Sequence, residues 1–467
     1  METSRSLTQV LAVSAVLSIT IIGGEAAATG IAVARFGGEH GNPMTSDPTA
    51  MYYNPAGLAL GEGTFVLVEG TFAWRSVTYD RDPGAIDNPG TGTPDPAVNS
   101  GESSLSNIII SPFIGVKTDF GVKGLGVAAG FYTPFGGQAV WDENSAFEGN
   151  TQYPGAVDGP QRWHNIEGVI RSSYITLAGA YRLPANISIG VGANLVLSVI
   201  DTIRASNVDG SDDVVTSVGG EGRAWVDSSG TSFSVSAGIA WNPRPDVVIG
   251  ISYQAQPGFG QISNEGTLHL KFGSLNASET PVLVYQSLPD ILRFGAQFRP
   301  TPKIEVRAWG SYENWSNFER QCIVNSTVDE PGCDLTPEGR PVRADSGVLN
   351  NIPREWKDAF SARLSGSYFL NSDTELVLGL GYDGNAVPDK TMEASLPDWD
   401  DITATIGGIF DIGNLELSVN LLGVFGLERT VEPTDPPPFM TPSRVPDGAG
   451  TYSSLVLVLQ LGVGYNF

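Results

Sequence analysis

Histidine and cysteine are nearly missing from this chain: three of the first and two of the second in 467 residues. A hydrolytic site needs a base within reach of its nucleophile, yet His40, His164 and His269 all lie outside any recognisable nucleophile context. There is no GxSxG elbow, no phosphate-cradling loop and no Cys/His spacing for a metal. The sequence therefore offers no catalytic residues, no metal site and no cofactor. Basic residues are scarce as well. Lys and Arg number 26 against 51 Asp and Glu, a net charge of −25, and nucleic acid, which needs a basic footprint, is excluded as a partner. Charged residues of both signs reach only 16%, below the roughly 25% of a soluble globular chain. Beyond the N-terminus no apolar run attains the about 18 residues of a membrane-crossing helix.

What the chain has instead is alternation. At its end Leu455, Leu457, Leu459, Leu461, Val463, Tyr465 and Phe467 interleave with Val456, Val458, Gln460, Gly462, Gly464 and Asn466. One face is greasy and the other mostly small or polar, as in a membrane barrel strand with one side to lipid. The terminal aromatic resembles the signal read by the outer-membrane barrel assembly machinery. Similar segments recur at Thr64–Tyr79, Leu105–Thr118, Lys123–Thr133, Ser172–Leu183, Asn186–Ile200, Thr231–Trp241, Asp246–Ala255, Leu288–Phe298, Lys303–Trp315, Lys357–Leu370, Thr374–Tyr382, Asp401–Asp411, Leu415–Leu427 and Thr451–Phe467. Tight Pro-, Asn-, Asp- or Gly-rich turns alternate with long polar loops between them. The fold class expected is all-β, a transmembrane up-and-down antiparallel barrel of about fourteen strands. An even count puts both termini on the periplasmic side of a bacterial outer membrane. Ile262–Phe272 also alternates, and is assigned to an external hairpin following Asp246–Ala255.

The front of the chain divides in two. Leu7 to Gly24 behind Arg5, followed by Ala26 and Ala28, reads as a secretory signal peptide over 1–28. Residues 29–63 are rich in Gly, Ala and small polar residues and are not strand-like. They suit a small N-terminal hatch inside the barrel formed by 64–467. Export makes the environment oxidising, and Cys322 and Cys333 in one polar stretch then point to a loop disulfide. The acidic loops around Asp209, Asp212 and Asp213, and around Asp383, Asp389, Glu393, Asp398, Asp400 and Asp401, are read as solubilising.

Asn54-Pro55-Ala56-Gly57, soon after the Gly-rich start, resembles the outer-membrane long-chain fatty-acid transporters of the FadL/TodX family. The likeness continues in Leu288-Pro289-Asp290 with Phe294-Gly295, in Trp309, Tyr312 and Trp315-Ser316-Asn317-Phe318, and in Trp356-Lys357-Asp358, Val387-Pro388-Asp389 and Leu396-Pro397-Asp398. The resemblance implies a monomeric barrel plugged by an N-terminal hatch. It would pass long-chain fatty acids or other hydrophobic molecules by passive diffusion and release them sideways into outer-membrane lipid at a kinked third strand. A general diffusion porin and a surface-binding or adhesive barrel are the alternatives.

The site residues expected follow from that picture, each with a plainer reading beside it. Asn54, Pro55, Ala56 and Gly57 gate the hatch, or form an ordinary turn. Pro134, Gly136 and Gly137 kink the third strand, or merely end it. Arg293, Arg307 and Arg363 share the small or polar face of their strands, and a charge facing lipid costs about 2–4 kcal/mol, so they point inward. There they grip a ligand carboxylate or join lumen ion pairs. Phe131 and Phe135 border an apolar capture groove. Trp74, Trp141, Trp163, Trp241, Trp315 and Trp399 are assigned to the interfacial girdle.

Overall fold

Inside a bilayer every backbone polar group needs a partner within the protein, and a sheet meets that demand by closing on itself. The computed structural model describes residues 35–86, 96–214, 220–273, 275–337, 339–434 and 445–467. Residues 1–28, expected to be a signal peptide, and residues 29–34 lie outside them. In chain order its strands are β1 (Phe65–Arg81), β2 (Gly101–Thr118), β3 (Leu125–Val140), β4 (Glu167–Leu183), β5 (Ile187–Ser206), β6 (Gly222–Arg244), β7 (Val247–Gln254), β8 (Ile262–Phe272), β9 (Ser278–Gln286), β10 (Ile291–Thr301), β11 (Ile304–Glu313), β12 (Arg320–Asn325), β13 (Val348–Pro353), β14 (Ala359–Asn371), β15 (Thr374–Asp383), β16 (Asp401–Ile412), β17 (Leu415–Gly426), β18 (Arg429–Val431) and β19 (Gly450–Asn466).

Fourteen of these form the wall: β1 to β7, β10, β11, β14 to β17 and β19, each antiparallel to its neighbours. Closure is made by β1 on β19, in unbroken register from Phe65↔Asn466 to Arg81↔Gly450. Each expected strand corresponds to one wall strand. The alternation has the expected consequence. On β19 Leu461 and Val463 are 45% and 50% exposed on the outside, whereas Val456, Val458 and Gln460 are buried on the inside. Short turns at one end use left-handed residues such as Gly121 and Gly413, and the long loops gather at the other end.

Ile262–Phe272 is a strand of its own. It pairs with the first part of β6, from Gly222↔Phe272 to Ser229↔Glu265, not with β7. With β9, β12 and β13 it raises a side sheet above the wall at the long-loop end, so the wall count stays even. Cys322 of β12 is disulfide-bonded to Cys333 in the loop that follows. The girdle assignment holds for exposed Trp74 and Trp241 only. Trp141, Trp163, Trp315 and Trp399 are buried, because at the long-loop end the connections fold inward and these rings fill the space beneath them.

Candidate functional site

The lower lumen, toward the short turns, is filled by residues 35–61, which touch wall strands on opposite sides. Asn54 sets their conformation. Its side-chain amide donates to the carbonyls of Pro43 (2.9 Å) and Ile239 on β6 (3.1 Å), while its oxygen accepts from the Ala56 amide. Pro55 opens a short 3-10 turn that runs to Leu60. The wall makes room for this turn with glycine: a Cβ at Gly190 would strike the Pro55–Ala56 peptide, and one at Gly238 the Asn54 side chain. Asn54 to Gly57 are thus a turn and a docking point at once.

The three expected arginines point inward, and each meets this segment. Arg293 donates to the Tyr52 carbonyl (3.2 Å) and to Gln254 (3.3 Å), with its guanidinium 4.2 Å from the Tyr52 ring centre. Arg363 pairs with Glu39 and with Asp383 (2.6 Å), and Arg35 pairs with the same two carboxylates at 3.1 and 2.7 Å. Arg307 pairs with Glu305, and donates to Ser367 (2.9 Å) and to His40 Nδ1 (2.7 Å). Burial and the Arg307 charge hold the His40 pKa well below its usual value, and the other ring nitrogen lies 3.5 Å from the Glu375 carboxylate.

Above this plug the wall opens. β2 and β3 are paired only from Ile114↔Phe131 to Thr118↔Val127. Beyond Tyr132 the β3–β4 register shifts before resuming at Phe135↔Ser172, which places a bulge at Thr133–Pro134. Five consecutive residues, Tyr132 to Gly136, are buried. A wall strand alternates, so here β3 bends inward away from β2 while Tyr132, Phe135 and Gly136 stay paired with β4. Leu105 to Phe113 consequently have no ladder partner in β3, until the Asp142 amide meets the Ser104 carbonyl (2.8 Å) and closes the gap above. Phe131 sits on the last rung, and Phe135 packs on Tyr174 and Trp315.

Behind that gap lies a cavity of about 310 Å³, at the lower end of the roughly 300–1,000 Å³ of small-molecule sites. Gly137, Gln138 and Ala139, just past the bulge, form part of its wall. Ile170, Ile200, Val226, Leu268, Val284 and Ile323 make it apolar. Its charged groups are Arg75, Arg204, Arg354 and Glu393, with His164 beside them: three guanidiniums to one carboxylate, in a chain of net charge −25. Arg75 donates to the Gln138 carbonyl (3.1 Å). Arg354 pairs with Glu393 and donates to Gln321 (3.0 Å). Glu393 also meets His164 Nδ1 at 2.9 Å and accepts from Ser395. Burial raises the pKa of this carboxyl, but Arg354 and His164 outweigh it and hold the group well below the usual carboxylate range. Arg204 has no side-chain hydrogen bond or ion pair to any described residue.

Arg204, Arg354, His164 and Glu393 are absent from the residues expected to bind ligand, and Arg293, Arg307, Arg363, Phe131 and Phe135 are not in the cavity wall. The signal for Arg204 was available. Ser198, Ile200, Thr202 and Arg204 continue the inward parity of β5 past the point where its outward face ceases to be apolar. Among the described residues no three His, Cys, Asp or Glu side chains gather into a metal-holding group.

The sequence model of the outer membrane protein transport proteins (OMPP1/FadL/TodX) matches residues 11–421. The chain belongs to this family. Its members are outer-membrane transport proteins, so this is an outer-membrane transporter and not an enzyme. A FadL homologue from Pseudomonas aeruginosa shares 16% identity over 95% of this chain and 100% of its own, with a TM-score of 0.73. The toluene transporter TodX from Pseudomonas putida shares 14%, covering 96% and 100%, with a TM-score of 0.62. The toluene transporter TbuX from Ralstonia pickettii shares 15%, covering 96% and 99%, with a TM-score of 0.59. At such identities these likenesses show the fold alone. No curated protein matches the sequence.

Proposed function

We propose that this barrel carries long-chain fatty acids, entering among the long loops and leaving sideways between β2 and β3 into the bilayer. The observation that carries the reading is Arg204: a guanidinium without a side-chain hydrogen bond or ion pair to any described residue, inside an apolar cavity whose wall includes the strand beside the gap. Withdrawing a methylene from an apolar site into water forfeits about 0.8 kcal/mol, so a long chain is best kept out of water throughout. A carboxylate in the same cavity needs a cation, and a charged hydrogen bond to arginine supplies it. Neutral hydrocarbons leave Arg204 only the charge of Glu393, which Arg354 already pairs. A water-filled porin is disfavoured because residues 35–61 occupy the lumen.

In this reading residues 29–63 are the hatch, the short turns and both termini face the periplasm, and the barrel works as a monomer. Phe467 presents the terminal aromatic to the assembly machinery, and outer-membrane lipid receives the product. The test is to purify the folded barrel in mild detergent and identify co-purifying lipids by mass spectrometry. Free fatty acids enriched in the wild type and depleted in Asn54→Ala support the reading. A clean extract, with ion conductance in a planar bilayer, refutes it in favour of a porin.

A further inference from the structure

A second hollow of about 440 Å³ lies outside the cavity, between Leu335, Thr336 and Gly339, the Ile352–Pro353 end of β13, Lys390–Glu393 and Val445–Gly448. The two spaces share Ile352, Glu393 and Pro446 in their linings, so these three residues border both. Of these three only Glu393 is charged. Its backbone is not free to wander, since Met392, Ala394 and Leu396 on either side are buried. Its carboxylate, however, rests on groups that belong to the cavity: the Arg354 guanidinium, His164 Nδ1 at 2.9 Å and the Ser395 hydroxyl.

We propose that Glu393 is a built-in occupant of a headgroup position and the gate between the outer hollow and the cavity, so that an anionic amphiphile opens the path by exchanging its own anion for this carboxylate. This inference rests on the fatty-acid reading above. The exchange is one carboxylate for another, and Arg354 is not left without a counter-charge at any stage. That matters because a buried ion stripped of its partner is strongly destabilising. Once Glu393 has swung toward the outer hollow, Ile352 and Pro446 alone of the three border both spaces, and the entering anion has Arg204 as its next cation. A neutral hydrocarbon has nothing to offer Arg354 and His164, so the gate selects by charge before the cavity selects by shape. The closed form acts as a tax on affinity, lowering it by the fraction of molecules that are open.

Glu393→Gln tests this with dodecanoate and decane as probes on the purified, folded barrel. The amide keeps the size of the side chain and loses its charge. The expected result is dodecanoate binding about tenfold tighter than in the wild type, with decane unchanged. Ser395→Ala removes only one hydroxyl from the carboxylate and should tighten dodecanoate binding in the same direction by about threefold. It decides the matter if Glu393→Gln does not fold. Wild-type binding of dodecanoate that neither folded variant strengthens overturns the gate alone. A wild type that binds decane but no dodecanoate overturns the fatty-acid reading, and the gate with it.

Discussion

The lumen has two floors, and Arg363 on the lower and Arg204 on the upper behave in opposite ways. On the lower floor Arg35, Arg293, Arg307 and Arg363 are each held by carboxylates, carbonyls, hydroxyls or rings, many supplied by residues 35–61. On the upper floor Arg204 has no side-chain hydrogen bond or ion pair to any described residue, and Arg354 has one acid that is itself on a loop. An inward arginine is thus not a ligand site by virtue of pointing inward. Where the chain provides the counter-charge the arginine is a rivet; where it withholds one, the opening is for something from outside.

The contrast is sharpest under substitution. Arg363→Met strips Glu39 and Asp383 of one of their two cations, and breaking a buried pair in this way costs about 3–5 kcal/mol. The expected outcome is loosening of the plug, read as ion conductance in planar bilayers or protease cleavage within residues 35–61; a silent, intact barrel would erase the distinction between floors. Arg204→Met removes no internal partner, so plug and fold should be untouched. Dodecanoate binding should weaken by about 1.5–3 kcal/mol, the worth of a charged hydrogen bond, while decane binding persists. If Arg204→Met instead behaves as Arg363→Met does, the upper floor is riveted too. The smallest effect concerns pH. The Glu393 carboxyl is held below its ordinary value, so its stabilisation is fully present above an unfolded value of about 4.3 and disappears only as the pH falls through the lower folded value. Thermal stability of the long-loop end should therefore be flat from about pH 5 to 8 and decline in stronger acid, and Glu393→Gln should remove that part of the decline.

The wall was legible in the sequence because lipid on one side and a packed lumen on the other write a period of two into each strand. Where lipid ends, so does the writing. β5 runs on to Ser206 and β6 begins at Gly222, but Asp201 and Asp227 on their outer faces are exposed and polar, and the alternation that marks Ile187–Leu197 is lost. Arg204 lies in that stretch and reads as loop. β8, β9, β12 and β13 are missed or misassigned for the same reason, since they pair above the lipid. Pro134, Gly136 and Gly137 lie at and just past the bulge, but whether such residues end a strand or bend it depends on β4, which resumes pairing at Ser172. The partners of Arg307 and Arg363 were equally out of reach: His40 and Glu39 come from a segment with no period at all.

The Arg35 contacts also bear on the order in which this molecule is made. Its carboxylate partner Asp383 is 348 residues away along the chain, and Gln460, which donates to its carbonyl, is 425 away. Contacts so distant form late, because the intervening chain must first be gathered. β1 likewise has to wait for β19 before the ring is complete. Stopper and bottle are finished in the same moment by the same last strands, so a chain released before β19 would have neither a closed ring nor a seated plug.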